Sequence, residues 1–307
     1  MQQLVNLELF FLLAHIFSMA FGLAGLLVVL PNAEFIGQLS PFGQTLFQWG
    51  MSGGGVVYII LGAIAVSIYA YRTLGTWHWL TFMTPAIFLS LGSELLGTST
   101  GFPFGNYGYL NGLGYKIAGL VPFTIPLSWF YLGFAAYLLA RAGLKVEENP
   151  NSWWRQLGAI AFGSLLLTSW DFVLDPAMSQ TISPFWVWYQ PGAFFGMPYS
   201  NFAGWFGTGV VFMSVAALLW KKVPLQIPKN LGFPLAVYIS NFTFAAVMSV
   251  GSGFLVPTAL GLLVGVLPAV VLWWLGTKNI SNSLNIPTKL LEESSETTVA
   301  PIKVVMK

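Results

Sequence analysis

The chain has 307 residues, of which 56% are hydrophobic and only 7% charged, and its formal net charge is +2. Soluble domains carry about 25% charged residues, so this composition excludes a water-soluble protein. The small net charge gives no electrostatic basis for nucleic-acid binding, and the absence of cysteine excludes disulfides, thiolate metal sites and cysteine nucleophiles. Two histidines, His15 and His78, are too few for a histidine-rich metal centre.

Eight apolar runs predict an all-α polytopic bundle in the membrane, because about 20 apolar residues are needed to cross the hydrocarbon layer. The runs lie near 9–30, 53–71, 78–96, 121–141, 157–175, 202–220, 232–250 and 255–276. Only a Gly-Ser-Gly sequence at 251–253 separates the last two, so seven spans is the alternative count. We predict a single transmembrane domain over 1–276, and a flexible cytoplasmic tail over 277–307, which is rich in Ser, Thr, Glu and Lys.

The distribution of positive charges predicts the orientation of these spans. With eight spans, a single cation, Lys116, falls in the loops on one side. The other side receives Arg72, Arg141, Lys145, Arg155, Lys221, Lys222, Lys229, Lys278, Lys289, Lys303 and Lys307. By the positive-inside rule both termini are then cytoplasmic. The expected location is a bacterial inner (cytoplasmic) membrane or a thylakoid membrane.

Two long loops on the opposite, outer side, 97–120 and 176–201, carry almost no charge and are rich in Gly, Pro and aromatic residues. A loop needed only for solubility would be polar. Irregular backbone at membrane depth is tolerated only against protein or trapped water. We therefore expect both loops to fold back onto the membrane face and line a cavity.

Carboxyl groups in or near the spans are the strongest functional candidates, because an ionisable group at a helix centre costs about 2.5–3.5 kcal/mol. Glu94 ends the third span, and Asp171 and Asp175, one helical turn apart, end the fifth. Asn201 and Trp205 open the sixth span at the same level. Burial and mutual repulsion predict that at least one carboxyl stays protonated at neutral pH. The structural alternative is that Asp171 caps a loop and that Asp175 merely precedes a proline in a turn.

Other candidates have mainly structural interpretations. His15 is expected to be a core histidine bonded to a neighbouring helix. The glycines at 53–55 and at 261 and 265 are expected to allow close helix packing. The tryptophans expected near the acidic cluster are Trp129, Trp170, Trp186, Trp188 and Trp205.

Four sequence blocks, in order, resemble the membrane hydratases of carotenoid biosynthesis, a family that includes bisanhydrobacterioruberin hydratases and carotene 1'-hydroxylases. The blocks are ELLGTSTGFPFGNYGY at 94–109, LVPFTIPLSW at 120–129, DFVLDP at 171–176 and FFGMPYSNFAGW at 194–205, the last preceded by Trp186 and Trp188. The resemblance covers most of residues 80–220.

This resemblance implies a carotenoid 1,2-hydratase, a hydro-lyase that adds water to the terminal 1,2 double bond of an acyclic end group of a lycopene- or γ-carotene-like substrate. The product is a tertiary alcohol. No cofactor and no metal are implied. The implied partners are the carotenoid, the membrane lipid and a glycosyltransferase that later acts on the new hydroxyl.

Acid-catalysed hydration needs a proton donor, an oriented water and aromatic faces that stabilise a tertiary carbocation. We assign Asp171 as the donor and Glu94 as the charged partner that holds the water, with Asp175 in support. The residues expected to contact the substrate or the water are Asn201, Trp205, Tyr107, Tyr109, Trp129, Trp186 and Trp188. The alternatives are a carotenoid cyclase, a non-catalytic lipid or carotenoid carrier, and a proton-coupled transporter.

Overall fold

A computed structural model describes residues 1–181, 183–228 and 230–284 as an integral-membrane bundle of apolar helices. The helices are α1 (Gln2–Ala24), α2 (Ala33–Gln38), α3 (Pro41–Thr100), α4 (Thr124–Gly143), α5 (Trp153–Ser179), α6 (Tyr199–Trp220), α7 (Gly232–Gly251), α8 (Leu255–Gly261) and α9 (Leu267–Leu284). Helix α1 continues in a π-helical turn, Gly25–Val29, and a second such turn, Leu262–Val266, joins α8 to α9. A 3-10 turn, Val146–Glu148, follows α4.

Seven helical stretches in the described residues are long and apolar enough to cross a membrane, but α3 contains two spans. Its 60 residues would extend about 90 Å, three times the hydrocarbon thickness. The helix is interrupted at Gly75, whose φ of 79° and ψ of 171° are readily adopted only by glycine. Gly55, before the break, packs on the backbone of Gly112, and Glu94, after the break, bonds Tyr107 of the same loop. The chain therefore reverses at Gly75.

The last two spans are also separate, so the predicted count of eight is confirmed over the alternative of seven. Gly251, at the end of α7, packs against Leu27. Gly276, in α9, packs against Leu231 at the start of α7, so the two spans run in opposite directions. Helix α9 continues to Leu284, so the first residues of the segment predicted as a tail are helical, and 285–307 lie outside the described residues.

Helix α4 forms the centre of the bundle, since nearly all of its side chains are buried. An aromatic core surrounds it, in which the ring of Phe82 lies 5.4–5.9 Å from four other rings. These rings belong to Phe134, Tyr137, Phe212 and Trp220. In contrast, α1 lies at the edge of the bundle with most of its surface exposed.

Two loops, 101–123 and 180–198, cover one end of the bundle, which we call the loop end. Strand β1 (Tyr107–Tyr109) of the first loop pairs antiparallel with β4 (Trp186–Trp188) of the second. A smaller pair, β2 (Lys116–Ile117) and β3 (Val121–Pro122), lies within the first loop. The two loops, which were predicted to fold back onto the membrane face and line a cavity, are joined to each other by a β-ribbon.

Candidate active site

The ribbon of β1 and β4 presents four aromatic side chains on one face. Side chains alternate between the faces of a strand, so Tyr107 and Tyr109 share a face, as do Trp186 and Trp188. In the antiparallel register Tyr107 lies opposite Trp188, and Tyr109 lies opposite Trp186. The patterns Tyr-Gly-Tyr and Trp-Val-Trp therefore place four hydrogen-bond donors toward the helix ends that carry the carboxyl groups.

Glu94, buried near the end of α3, accepts hydrogen bonds on both of its carboxyl oxygens. Oε2 accepts from the hydroxyls of Tyr107 and Tyr109, the latter at 2.9 Å, and Oε1 accepts from the indole N–H of Trp129 at 3.0 Å. Burial, followed by the neighbouring Glu94 carboxyl, raises the pKa of Tyr107 and Tyr109 well above the usual value. Both phenols therefore stay neutral and donate to Glu94.

Asp175 has an equally complete set of donors. Its Oδ2 accepts from the Trp186 indole at 2.9 Å, and its Oδ1 accepts from the Trp188 indole at 2.9 Å and the Ser179 hydroxyl at 3.1 Å. Asp175 lies inside α5, which continues past Pro176 to Ser179. The alternative that Asp175 merely precedes a proline in a turn is therefore wrong.

Asp171 differs from both neighbours because few donors reach it. Its Oδ2 accepts a hydrogen bond from the Asn201 amide at 2.7 Å, and no other donor reaches the carboxyl from the part of the chain that the structure describes. The side chain is only 3% exposed, lines the central cavity and lies within electrostatic range of Glu94 and Asp175. Of the three carboxyls, Asp171 alone thus has an oxygen, Oδ1, that no described protein donor occupies.

Stacked tryptophans form one wall beside the carboxyls. The rings of Trp129 and Trp205 stack at 3.9 Å with an interplanar angle of 17°, and Trp170 meets Trp205 edge-on at 5.8 Å. Trp170 and Trp205 line the cavity, whereas Trp129 lies behind Trp205 and is fully buried. Trp129 itself does not line the cavity: its indole N–H holds Glu94, and its ring supports Trp205.

The carboxyls open into a mainly apolar cavity of about 320 Å³. Its polar end brings together the other predicted site residues. These are Glu94, Asp171, Asp175, Asn201, Tyr107, Tyr109, Trp186, Trp188 and Trp205. The remainder is lined by α1 with its π-helical turn, the first part of α3, and residues of the two loops, α4, α5 and α7. These apolar walls were not predicted from the sequence. The pattern that could have indicated them is a small residue at every third or fourth position of α1 and α3.

The residues with expected structural roles lie in the bundle core. His15 is fully buried, with Nδ1 2.7 Å from the Tyr58 carbonyl and Nε2 3.0 Å from the Asn241 amide nitrogen, as expected of a core histidine. Gly261 and Gly265 pack closely against Phe242 and Tyr238. Gly55 packs closely too, but Gly54 lines the cavity with no heavy atom within 4 Å of an added Cβ. The described residues include no group of three or more His, Cys, Asp or Glu side chains that could hold a metal ion.

The chain is similar to known proteins of carotenoid biosynthesis. A family profile described as carotenoid biosynthesis protein matches residues 54–268, more than half of the chain. Over 131 residues the chain is 37% identical to bisanhydrobacterioruberin hydratase of Haloarcula japonica, a match that covers 43% of this chain and 41% of that protein. No solved structure matches the chain. From the extent of the profile match, we conclude that the chain belongs to the carotenoid biosynthesis protein family.

Proposed function

We propose that the protein is a carotenoid 1,2-hydratase, which adds water to the terminal 1,2 double bond of an acyclic carotenoid end group. The observation that carries the proposal is the contrast within the carboxyl cluster. Two carboxyls are fully hydrogen-bonded, whereas the third, Asp171, turns an unbonded oxygen toward an apolar cavity. Family membership and the hydratase relative support the same reaction class.

Asp171 is the proton donor in this proposal. A buried carboxyl without cationic neighbours favours its neutral form. The Asn201 amide occupies Oδ2, so the proton resides on Oδ1, the oxygen left for the substrate. Transfer of that proton to C2 of the terminal alkene produces a tertiary cation at C1.

Glu94 and Asp175 provide the negative charge that stabilises this cation. Both oxygens of each group accept hydrogen bonds, which offset part of the cost of burying a charge and make these two carboxyls easier to ionise than Asp171, which has one donor. Each carboxylate is thus held in place without an adjacent cation that would cancel its field. The faces of Trp205 and Trp170 contribute about 0.5–2 kcal/mol each when a cation lies over them.

Water completes the reaction at C1. Its oxygen forms the new C–O bond, and the resulting oxonium loses a proton to a carboxylate of the cluster. Return of a proton to Asp171 restores the starting state, so the net reaction consumes one water and no electrons. In the ionised state of Asp171, the Asn201 carbonyl oxygen is available to orient the water, since its amide nitrogen binds Asp171.

The proposal is tested by expressing the chain in a bacterium that produces lycopene or γ-carotene, followed by mass analysis of the extracted pigments. We expect a product heavier than the substrate by one water, whose oxygen comes from labelled water even in the absence of O₂. A cyclised product of unchanged mass would indicate a cyclase, and oxygen derived from O₂ would contradict hydration. An unchanged pigment that is bound by the protein would indicate a carrier.

A further inference from the structure

Part of the apolar lining of the cavity runs along α1, its π-helical turn and the first half of α3, and we call this part the groove. Along α3, the residues that line it recur every three or four positions, from Gly43 through Gly50 and Gly54 to Tyr58. The same spacing occurs in α1 and its π-helical turn, where Gly22 and Gly25 line the groove. Because such spacing keeps residues on one face of a helix, each helix contributes one continuous wall. From 43 to 58 the wall is about 22 Å long, at 1.5 Å per residue.

One end of this groove leads to the carboxyl cluster. The carbonyl of Tyr58 binds His15, and His15 binds Asn241, whose own carbonyl accepts the Trp170 indole at 3.1 Å. Trp170 is the neighbour of Asp171 and lines the same cavity. The Tyr58 end of the groove is therefore the end nearest the proton donor.

Large apolar side chains that flank the groove are exposed on the surface of the bundle. Beside the groove, Phe21 of α1 is 46% exposed, and Phe42 and Trp49 of α3 are 71% and 67% exposed. In an integral membrane protein, large apolar side chains with such exposure face the hydrocarbon. The groove is thus flanked by lipid-facing side chains and leads to a buried, incompletely bonded carboxyl.

We infer that this groove holds the chain of a long linear isoprenoid, which enters from the lipid between α1 and α3 and presents one end group to Asp171. The inference rests on the proposed function and specifies how its substrate is bound. An apolar groove that leads to carboxyls fits a rod-shaped hydrocarbon with one reactive terminus. Since the acidic cluster lies at one end only, each binding event exposes one end group to the acid.

Glycines in the two walls allow a direct steric test. An added Cβ at Gly54 or at Gly25 has no heavy atom within 4 Å, and both residues line the cavity. A leucine at either position would therefore project into the groove without displacing the protein. Gly53 is the matched control, because its Cβ position is equally open but the residue does not line the cavity.

The experiment compares Gly54→Leu, Gly25→Leu and Gly53→Leu with the wild type in a lycopene-producing host. The measurements are the pigment that co-purifies per protein, by absorbance, and the hydrated product, by mass analysis. We expect both groove variants to lose bound pigment by at least about fivefold, the low end of the effect of overpacking a filled site. Gly53→Leu should match the wild type, and membrane abundance and thermal unfolding in detergent verify that all three variants fold.

The two proposals fail in different ways. Pigment retention by both groove variants at the wild-type level would overturn the groove assignment even if hydration is confirmed. Equal loss in Gly53→Leu and Gly54→Leu would overturn it as well, because the effect would not depend on the cavity. A third outcome is that both groove variants lose bound pigment and Gly53→Leu does not, while the wild type makes no hydrated product. This outcome would support the groove assignment and reject the hydratase proposal.

Discussion

The two ends of the bundle differ in the groups that donate hydrogen bonds to their carboxyls. At the end away from the loops, Arg72 donates two hydrogen bonds to Glu8 at 2.6 and 2.7 Å, and Arg141 donates two to Glu147 at 2.5 and 2.8 Å. At the loop end, none of the three clustered carboxyls forms a salt bridge with any described residue. The loop-end cation Lys116 donates to the backbone carbonyl of Tyr109 at 2.5 Å instead.

In the proposed mechanism, this difference separates structural carboxyls from reactive ones. A bidentate guanidinium holds a carboxylate in its ionised form and fixes its geometry. At the loop end only neutral phenol, indole, amide and hydroxyl groups contact the carboxyls, so negative charge remains available to a cation in the cavity. Because Asp171 has fewer donors than its neighbours, it is the group that we propose holds the proton.

Removal of the acid is expected to have the largest effect. Asp171→Asn preserves size and can still bond to Asn201, but it provides no carboxylic proton. Hydrated product per protein should fall by at least about 100-fold, the low end of a typical acid–base contribution. Pigment mass analysis, normalised to membrane abundance, measures the loss. Near-normal hydration by both Asp171→Asn and Glu94→Gln would show that the acid lies elsewhere.

Removal of one neutral donor should have a smaller effect. Trp129→Phe preserves an aromatic ring beside Trp205 but removes the N–H that holds Glu94. A hydrogen bond to a charged group contributes about 1.5–3 kcal/mol, and loss of the low end of this range corresponds to a fall in hydration of about tenfold. Trp220→Phe is the control, because its N–H binds Thr81 near the opposite end. Equal losses of hydration in Trp129→Phe and Trp220→Phe would contradict the functional distinction between the two ends of the bundle.

Disruption of an ion pair at the opposite end should affect stability and leave the chemistry intact. Glu8→Gln leaves the Arg72 guanidinium without its carboxylate, and the unfolding free energy should fall by about 1–3 kcal/mol. Thermal unfolding in detergent measures this change, while hydration per folded molecule should equal that of the wild type. A normal melting temperature combined with lost hydration would assign Glu8 to the reaction.

The orientation of the two ends can be tested without any change in activity. The uneven division of Lys and Arg predicts that the loop end faces away from the cytoplasm. Reporter fusions after Arg72 and after Pro191 should therefore locate to opposite sides of the membrane. Identical reports from the two fusions would reject this topology.

The sequence predicted the features that depend on composition and local spacing. Eight spans follow from apolar runs, and the grouping of Glu94, Asp171 and Asn201 follows from their positions at span ends. Trp186 and Trp188 were expected near the acidic cluster, but their hydrogen bonds to Asp175 could not be predicted, because their orientation depends on a register between strands about 80 residues apart. The placement of Trp129 behind Trp205 depends on side-chain packing between α4 and α6, which local spacing does not encode.

The central claim, that Asp171 holds the proton while Glu94 and Asp175 are ionised, is tested most directly by infrared spectroscopy of the purified protein in lipid at neutral pH. Wild-type protein should show the C=O stretch of a protonated carboxyl that shifts on transfer to D₂O. The band should disappear in Asp171→Asn and persist in Glu94→Gln and in Asp175→Asn. Persistence of the band in Asp171→Asn, with its loss in one of the other two variants, would contradict the account.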